Sequence, residues 1–187
     1  MRHSKQTKLE NPERLAELDP SNTLRRLGLG LEDSVCDIGA GSGIFTMEAA
    51  RMTGAAVYAL EIDDIMLELI RKKAKKEKRG NIIAAKVEDG IFPVEDNAAD
   101  LALLVTVLHE IENKADFLRE ITRILKIGGR VAVIEFHKAD TPMGPPLFHR
   151  LGRGEVRDIL IEEGFSVCDD FDLGENLYCL VFRGEKV

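Results

Sequence analysis

The chain has no run of about 18 apolar residues, and its N-terminal MRHSKQTKLENPERL has no apolar core, so neither a membrane span nor a secretory leader is expected. Cysteine is scarce. Cys36, Cys168 and Cys179 lack Cys-x-x-Cys spacing, which excludes a zinc knuckle and a thioredoxin-like motif. An odd number in apolar surroundings reads as reduced thiols in a cytoplasmic protein. Positive charge is in deficit: the formal net charge is −7, so the molecule as a whole should seek neither nucleic acid nor an anionic membrane. The basic run RKKAKKEKR at 71–79 follows the apolar-periodic IMLELI and reads as the solvated face of a helix. His109, Glu110, Glu135, His137 and His149 show no His-x-x-x-His or His-x-His spacing, so no metal is expected.

With 187 residues, 44% hydrophobic and 32% charged, the chain suits one α/β domain with a proper core. VCDI (35–38), AVYALEI (56–62), NIIAAKV (81–87), ADLALLVTV (99–107) and RVAVIEF (130–136) read as strands, apolar on both faces as in a covered parallel sheet. FTMEAARM, DDIMLELIRKKAKKEK and ADFLREITRILK carry helical periodicity, the last stopping at the glycines of KIGG. Strand and helix alternate, which implies right-handed crossovers. FSVCDDFDL and NLYCLVF, joined around Gly174-Glu175, read as an antiparallel hairpin after the helix EVRDILIEEG. The expected fold is α/β and Rossmann-like: seven strands, mostly parallel, with an antiparallel C-terminal hairpin and helices on both faces. Within that single domain, 1–30 is a helical cap broken at Pro20 and capped by Asp19 or Ser21, lying across a sheet edge or over the glycine loop. Residues 31–136 are the core, 137–154 a Pro- and Gly-rich irregular loop, and 155–187 the last helix and hairpin.

The informative stretch is VCDIGAGSGIFT at 35–46. A nicotinamide-dinucleotide loop requires Gly-x-Gly-x-x-Gly, but Gly39, Gly41 and Gly43 are evenly spaced and Ile44 stands where the third glycine belongs. No Gly-Lys-Ser/Thr follows, which excludes a P-loop. Asp37 would repel a pyrophosphate, yet suits an ammonium or hydroxyls. Glu61 ends the second strand, where an acid can take ribose hydroxyls, and Glu88 with Asp89 ends the third, placed for an exocyclic amine. Three strand-end acids describe a nucleoside with a cationic tail and no phosphate, which is S-adenosylmethionine.

DIGAGSG, ALEIDDIML, VEDGIFPVEDNAADLALLVTVLHEI and LREITRILKIGGRVAVIEF occur in that order. Together they resemble the class I S-adenosylmethionine-dependent methyltransferases, in particular the small ubiquinone/menaquinone C-methyltransferase-like group. The resemblance spans roughly 20–183, with Ile127 where proline is usual. It implies that Asp37 holds the methionine end over the backbone of Gly39, Ala40, Gly41, Ser42 and Gly43. It further implies that Glu61 takes the ribose with Ile62 beside the adenine, and that Glu88 and the Asp89 backbone take the adenine edge. Leu104, Val105 and Thr106 would line the methionine and sulfonium side. No asparagine- or aspartate-Pro-Pro-Tyr tetrapeptide follows the fourth strand, which argues against DNA-amine and protein-glutamine acceptors.

A small-molecule acceptor is therefore expected, between the N-terminal helices and the 137–154 loop, with Met143, Leu147 and Phe148 as apolar surface and His137 and His149 nearby. His109 is the candidate catalytic base; it can also serve as a contact or a helix cap. Two alternatives stay open: a binding module that holds the cofactor without turnover, and a NAD(P)-dependent oxidoreductase, which Ile44 and Asp37 oppose. The oligomeric state is expected to be monomer or homodimer.

Overall fold

Short apolar runs pair into a seven-stranded, mostly parallel sheet with antiparallel C-terminal strands, in a computed structural model that describes residues 2–184. Met1 and 185–187, the outer ends of the expected cap and hairpin segments, lie outside the described residues. The chain divides into two compact units, Met1–Val94 and Glu95–Val187. Among the described residues no helix is long and apolar enough to cross a membrane.

In the first unit three short helices precede the sheet: α1 (Arg2–Leu9), α2 (Pro12–Leu18) and α3 (Pro20–Arg26). The pair of short helices expected on either side of Pro20 is α2 and α3, and α1 is the addition ahead of them; Asn11, followed by Pro12, starts α2. The Asn11 side chain accepts from the Glu13 and Arg14 amides. Of the two cap candidates at Pro20 it is Asp19 that accepts from the Asn22 amide. Strands β1 (Val35–Ile38), β2 (Val57–Glu61) and β3 (Ile82–Lys86) run parallel in the order β3-β2-β1, with Val35 opposite Val57 and Val57 opposite Ile82. β3 is an outer strand, not the doubly covered one its apolar composition suggests, and Ile83 is 45% exposed. Helix α4 (Ile44–Met52) follows β1, and α5 (Asp64–Lys76) follows β2. The latter buries Met66, Leu67 and Ile70 on one stripe and leaves most of its basic end in solvent.

The second unit holds β4 (Ala99–Val105), α6 (Lys114–Ile124), β5 (Leu125–Phe136), α7 (Arg153–Glu162), β6 (Phe165–Leu173) and β7 (Leu177–Gly184). β4 and β5 are parallel; β5-β7 and β7-β6 are antiparallel, so β6 is outermost. KIGG does not stop the preceding helix. α6 ends at Ile124, and LKIGG is already strand, because buried Leu125 pairs with Ala99 ahead of a register shift in β4. β4 in turn ends at Val105, two residues earlier than the apolar pattern predicts, since Thr106 takes a positive φ of 57°. Cys36 and Cys179 are buried as expected, whereas Cys168 is exposed on the outer strand.

Candidate functional site

In the first unit β1 delivers Asp37 into the interior, where it is 2% exposed. The Thr46 hydroxyl, in the first turn of α4, donates to Asp37 Oδ2 over 2.5 Å. Burial pushes the Asp37 carboxyl up to about 6; the Thr46 bonds pull it back down, and the Glu61 charge adds a smaller upward push. The chain then turns through Gly39, Gly41 and Gly43, all at positive φ. Two of these glycines also answer to packing. A Cβ on Gly43 would lie 2.8 Å from Ile70 of α5, and one on Gly41 would lie 3.0 Å from Leu9 Cδ1. Gly43, the N-cap of α4, thus provides the close helix approach that a dinucleotide loop obtains from its third glycine, which is why Ile44 is tolerated as the first helical residue.

Glu61 closes the loop. Its Oε2 accepts from the Gly41 amide at 2.8 Å, and its Oε1 from the Ile62 and Asp63 amides at 2.9 and 3.1 Å. The acid predicted to bind a ribose is therefore also the clamp that joins the glycine loop to the end of β2. Ile62 beside it is 69% exposed. Glu88 and Asp89 are exposed in the turn after β3, where the Ile91 amide donates to the Glu88 carbonyl and Asp89 has φ 52°. Ser42 is buried, and its carbonyl accepts from Lys73 Nζ at 2.8 Å. Lys73 also pairs with Glu10 at 2.7 Å, so the end of α1 lies over the glycine loop, one of the two positions foreseen for the N-terminal helices. Thr46, Lys73, Glu10 and Leu9 escaped the sequence reading. Lys73 sits in a uniformly basic run, and nothing local sets it apart. A hollow of about 360 Å³ lined by Gln6, Asp64, Ile65, Met66, Glu68, Leu69 and Lys72 includes none of the predicted cofactor residues.

In the second unit Leu104 is fully buried in the core, while Val105 and Thr106 are half-buried at the end of β4. The Thr106 amide donates to the Ile134 carbonyl at 2.7 Å. His109 sits in a single 3₁₀ turn, Leu108–Glu110. Its Nδ1 is 2.8 Å from Glu135 Oε2, and its amide donates to Glu135 Oε1 at 3.2 Å. Hydrogen bonding to Glu135 raises the His109 pKa above its usual range, against the opposing effect of burial. Sequence inspection had Glu135 only as one member of a rejected metal set. Among the described residues no group of three His, Cys, Asp or Glu side chains could hold a metal ion.

The 137–154 loop is irregular but tied down. Arg150, 7% exposed, donates to the carbonyls of His137, Ala139, Met143 and Pro145 and to the Thr141 hydroxyl. The Met143 amide donates to Asn176 Oδ1 at 2.9 Å, and Met143 is half-buried. The structure does not gather the four predicted acceptor residues alike. His137 leans on Tyr178, centroids 5.4 Å apart, with Nε2 3.2 Å from Asp172. Phe148, 80% exposed, stacks on the exposed His149 at 4.4 Å.

Residues 36–133 match the model of a family described as a methyltransferase domain. The chain is 35% identical over 127 residues to the demethylmenaquinone methyltransferase of Tropheryma whipplei (strain Twist), covering 68% of this chain and 51% of that protein. It is 32% identical over 124 residues to the ubiquinone/menaquinone biosynthesis C-methyltransferase of Ectopseudomonas mendocina (strain ymp), covering 65% and 48% respectively. The match thus spans about half the length of these curated relatives. Among solved structures, a SAM dependent methyltransferase from Aquifex aeolicus is similar with a TM-score of 0.91 at 28% identity, covering 96% of this chain and 97% of that one.

Proposed function

The chain belongs to the methyltransferase domain family, and from that premise we propose that it transfers a methyl group from S-adenosylmethionine to a small-molecule acceptor by in-line displacement. The observation that carries the cofactor assignment is the set of hydrogen-bond acceptors in the first unit. Two acceptor-only carboxylates, Asp37 and Glu61, stand at a loop whose glycines bare the backbone. A phosphate would meet like charge there, whereas an ammonium and ribose hydroxyls would meet acceptors. The residues present therefore fit S-adenosylmethionine and oppose a dinucleotide.

In this reading Asp37 holds the amino end, Glu61 the ribose, Ile62 the face of the adenine, and Glu88 with the Asp89 backbone its edge. When bound, the cofactor supplies a methyl group activated on a sulfonium and a neutral thioether leaving group. The protein's own part is positioning and exclusion of water, together with proton removal where the acceptor is protic. His109 is the group we assign to that removal. Both curated relatives are named for quinones, and a quinone-type ring is the acceptor we propose.

Calorimetric titration with S-adenosylhomocysteine, S-adenosylmethionine and NAD tests the cofactor reading. Binding of the first two without NAD is expected; NAD binding with no response to S-adenosylhomocysteine overturns it. Mass spectrometry of a demethylated quinol incubated with S-adenosylmethionine then separates an enzyme, which adds one methyl group, from a module that only binds.

A further inference from the structure

We infer that Glu135 is a positioning residue, holding His109 as an Nδ1-protonated base that offers Nε2 to an acceptor whose nucleophile must first lose a proton from oxygen. The inference rests on the methyl-transfer reading above and names the kind of acceptor that reading takes. Both Glu135 oxygens are engaged by one residue, Oε2 by the His109 ring at 2.8 Å and Oε1 by the His109 backbone amide at 3.2 Å. A two-point grip of this kind sets the ring relative to its own backbone. An ionised carboxylate can only accept, so the proton on the neutral imidazole is held at Nδ1, and Nε2 is left as the acceptor.

Among the described residues no hydrogen bond reaches Nε2, and about 10% of the His109 side chain is exposed, against 1% for Glu135. A histidine serving only as core filler gains by satisfying both ring nitrogens, since a buried unpaired acceptor is costly. Here Nδ1 is anchored, whereas Nε2 has no partner among the described residues yet is not a buried unpaired atom, so it stays accessible.

The carboxylate is held for this task by the sheet. Glu135 lies on β5 between β4 and β7, opposite Tyr178 of β7 and therefore on the same face. The Tyr178 hydroxyl donates away from it, to the Leu151 carbonyl at 2.8 Å, and does not compete for the Glu135 oxygens. Glu110 and Lys114 also face His109, in opposite senses, and Arg153 and Glu155 face Tyr178. The dominant charge on the imidazole is Glu135, and it strengthens the base.

The step is a proton transfer. The acceptor's O–H bond breaks, its electron pair stays on the acceptor oxygen, an N–H bond forms at Nε2, and the imidazolium later returns the proton to water. A thiol or other soft acceptor, already partly ionised near neutrality, does not require it.

The test uses the full chain with ¹⁵N-labelled histidine. Only four histidines are present, and loss of a signal in His109→Gln assigns the resonance. Long-range ¹H–¹⁵N spectra of the wild type are expected to show neutral His109 protonated at Nδ1. Glu135→Gln is expected to move its titration midpoint down by about one pH unit while S-adenosylhomocysteine still binds. With a hydroquinone probe, the acidic limb of the kcat profile follows that midpoint in both proteins; with a small thiol probe kcat does not follow it.

A wild-type His109 protonated at Nε2 overturns the proposal, as does a midpoint unmoved by Glu135→Gln, or a thiol and a hydroquinone that depend equally on His109. The wild-type spectrum needs no substitution, so the test stands if Glu135→Gln does not fold. Failure of the methyl-transfer reading shows separately, as absence of S-adenosylhomocysteine binding to the wild type.

Discussion

The Thr46 hydroxyl donates a 2.5 Å hydrogen bond to the buried Asp37 carboxylate, tying the first turn of α4 to β1 at the acid we propose for the cofactor's amino group. Burial works against that acid in the free protein. Its carboxyl titrates near 6 in the fold and near 3.8 when solvated. The native state therefore binds the proton more tightly, and stability falls as pH rises through that window.

Asp37→Asn is accordingly expected to stabilise the protein at pH 8, by on the order of 2 kcal/mol, and to bring little gain at pH 3.5. Affinity for S-adenosylmethionine is expected to drop by about tenfold or more, from loss of a charged hydrogen bond. Urea denaturation across pH and calorimetry check the two halves; a stability difference that is constant with pH defeats the electrostatic account.

Glu61 has two roles that one substitution separates. Glu61→Ala leaves the amides of Gly41, Ile62 and Asp63 without their acceptor, so a stability loss of about 1–3 kcal/mol is expected even without ligand. Weakened S-adenosylhomocysteine binding should accompany it. Reduced affinity at unchanged stability, read by denaturant melts, means that Glu61 contacts the ligand but does not clamp the loop.

Arg150 organises the loop after β5 by donating to four carbonyls and one hydroxyl. Arg150→Met strips those acceptors of a shared donor and is expected to cost on the order of 3 kcal/mol. Faster amide exchange confined to 137–154 is the sign to look for. If protection there is unchanged, the loop is held by something other than this guanidinium.

Lys73 links Glu10 to the Ser42 carbonyl at the edge of the glycine loop. The pair is only part-buried, so Lys73→Met should cost less than about 1 kcal/mol globally. Locally it should release α1, raising amide exchange there severalfold, and 0.5 M salt should partly mimic it in the wild type. Exchange in α1 that ignores both changes shows that Leu9 on Gly41 holds the helix by apolar contact alone.

The elements were legible because their signals are local. Apolar runs of four to nine residues and helical stripes mark β1, β2, β4, α4 and α5 within a few residues. The misreadings came where a distant partner overruled local chemistry. The glycines of KIGG suggest a helix stop, but pairing of Leu125 with Ala99 draws the segment into β5. β3 is apolar enough to pass for a covered strand, and only sheet order reveals that it has a neighbour on one side within its unit.

What the sequence by itself determined is the α/β alternation, the acid-glycine-acid pattern of 35–61 and the exclusion of a P-loop, because each is written in residue type and spacing within one strand–turn–helix unit. Only the tertiary structure decided which groups meet across long separations. Glu135 reaches His109 from 26 residues away, Lys73 reaches Glu10 from 63, and the Glu61 clamp closes on Gly41 from 20. A carboxylate reads the same in the chain whether it will face water or an imidazole. Strand register and burial make the difference, by removing the water that would otherwise satisfy it.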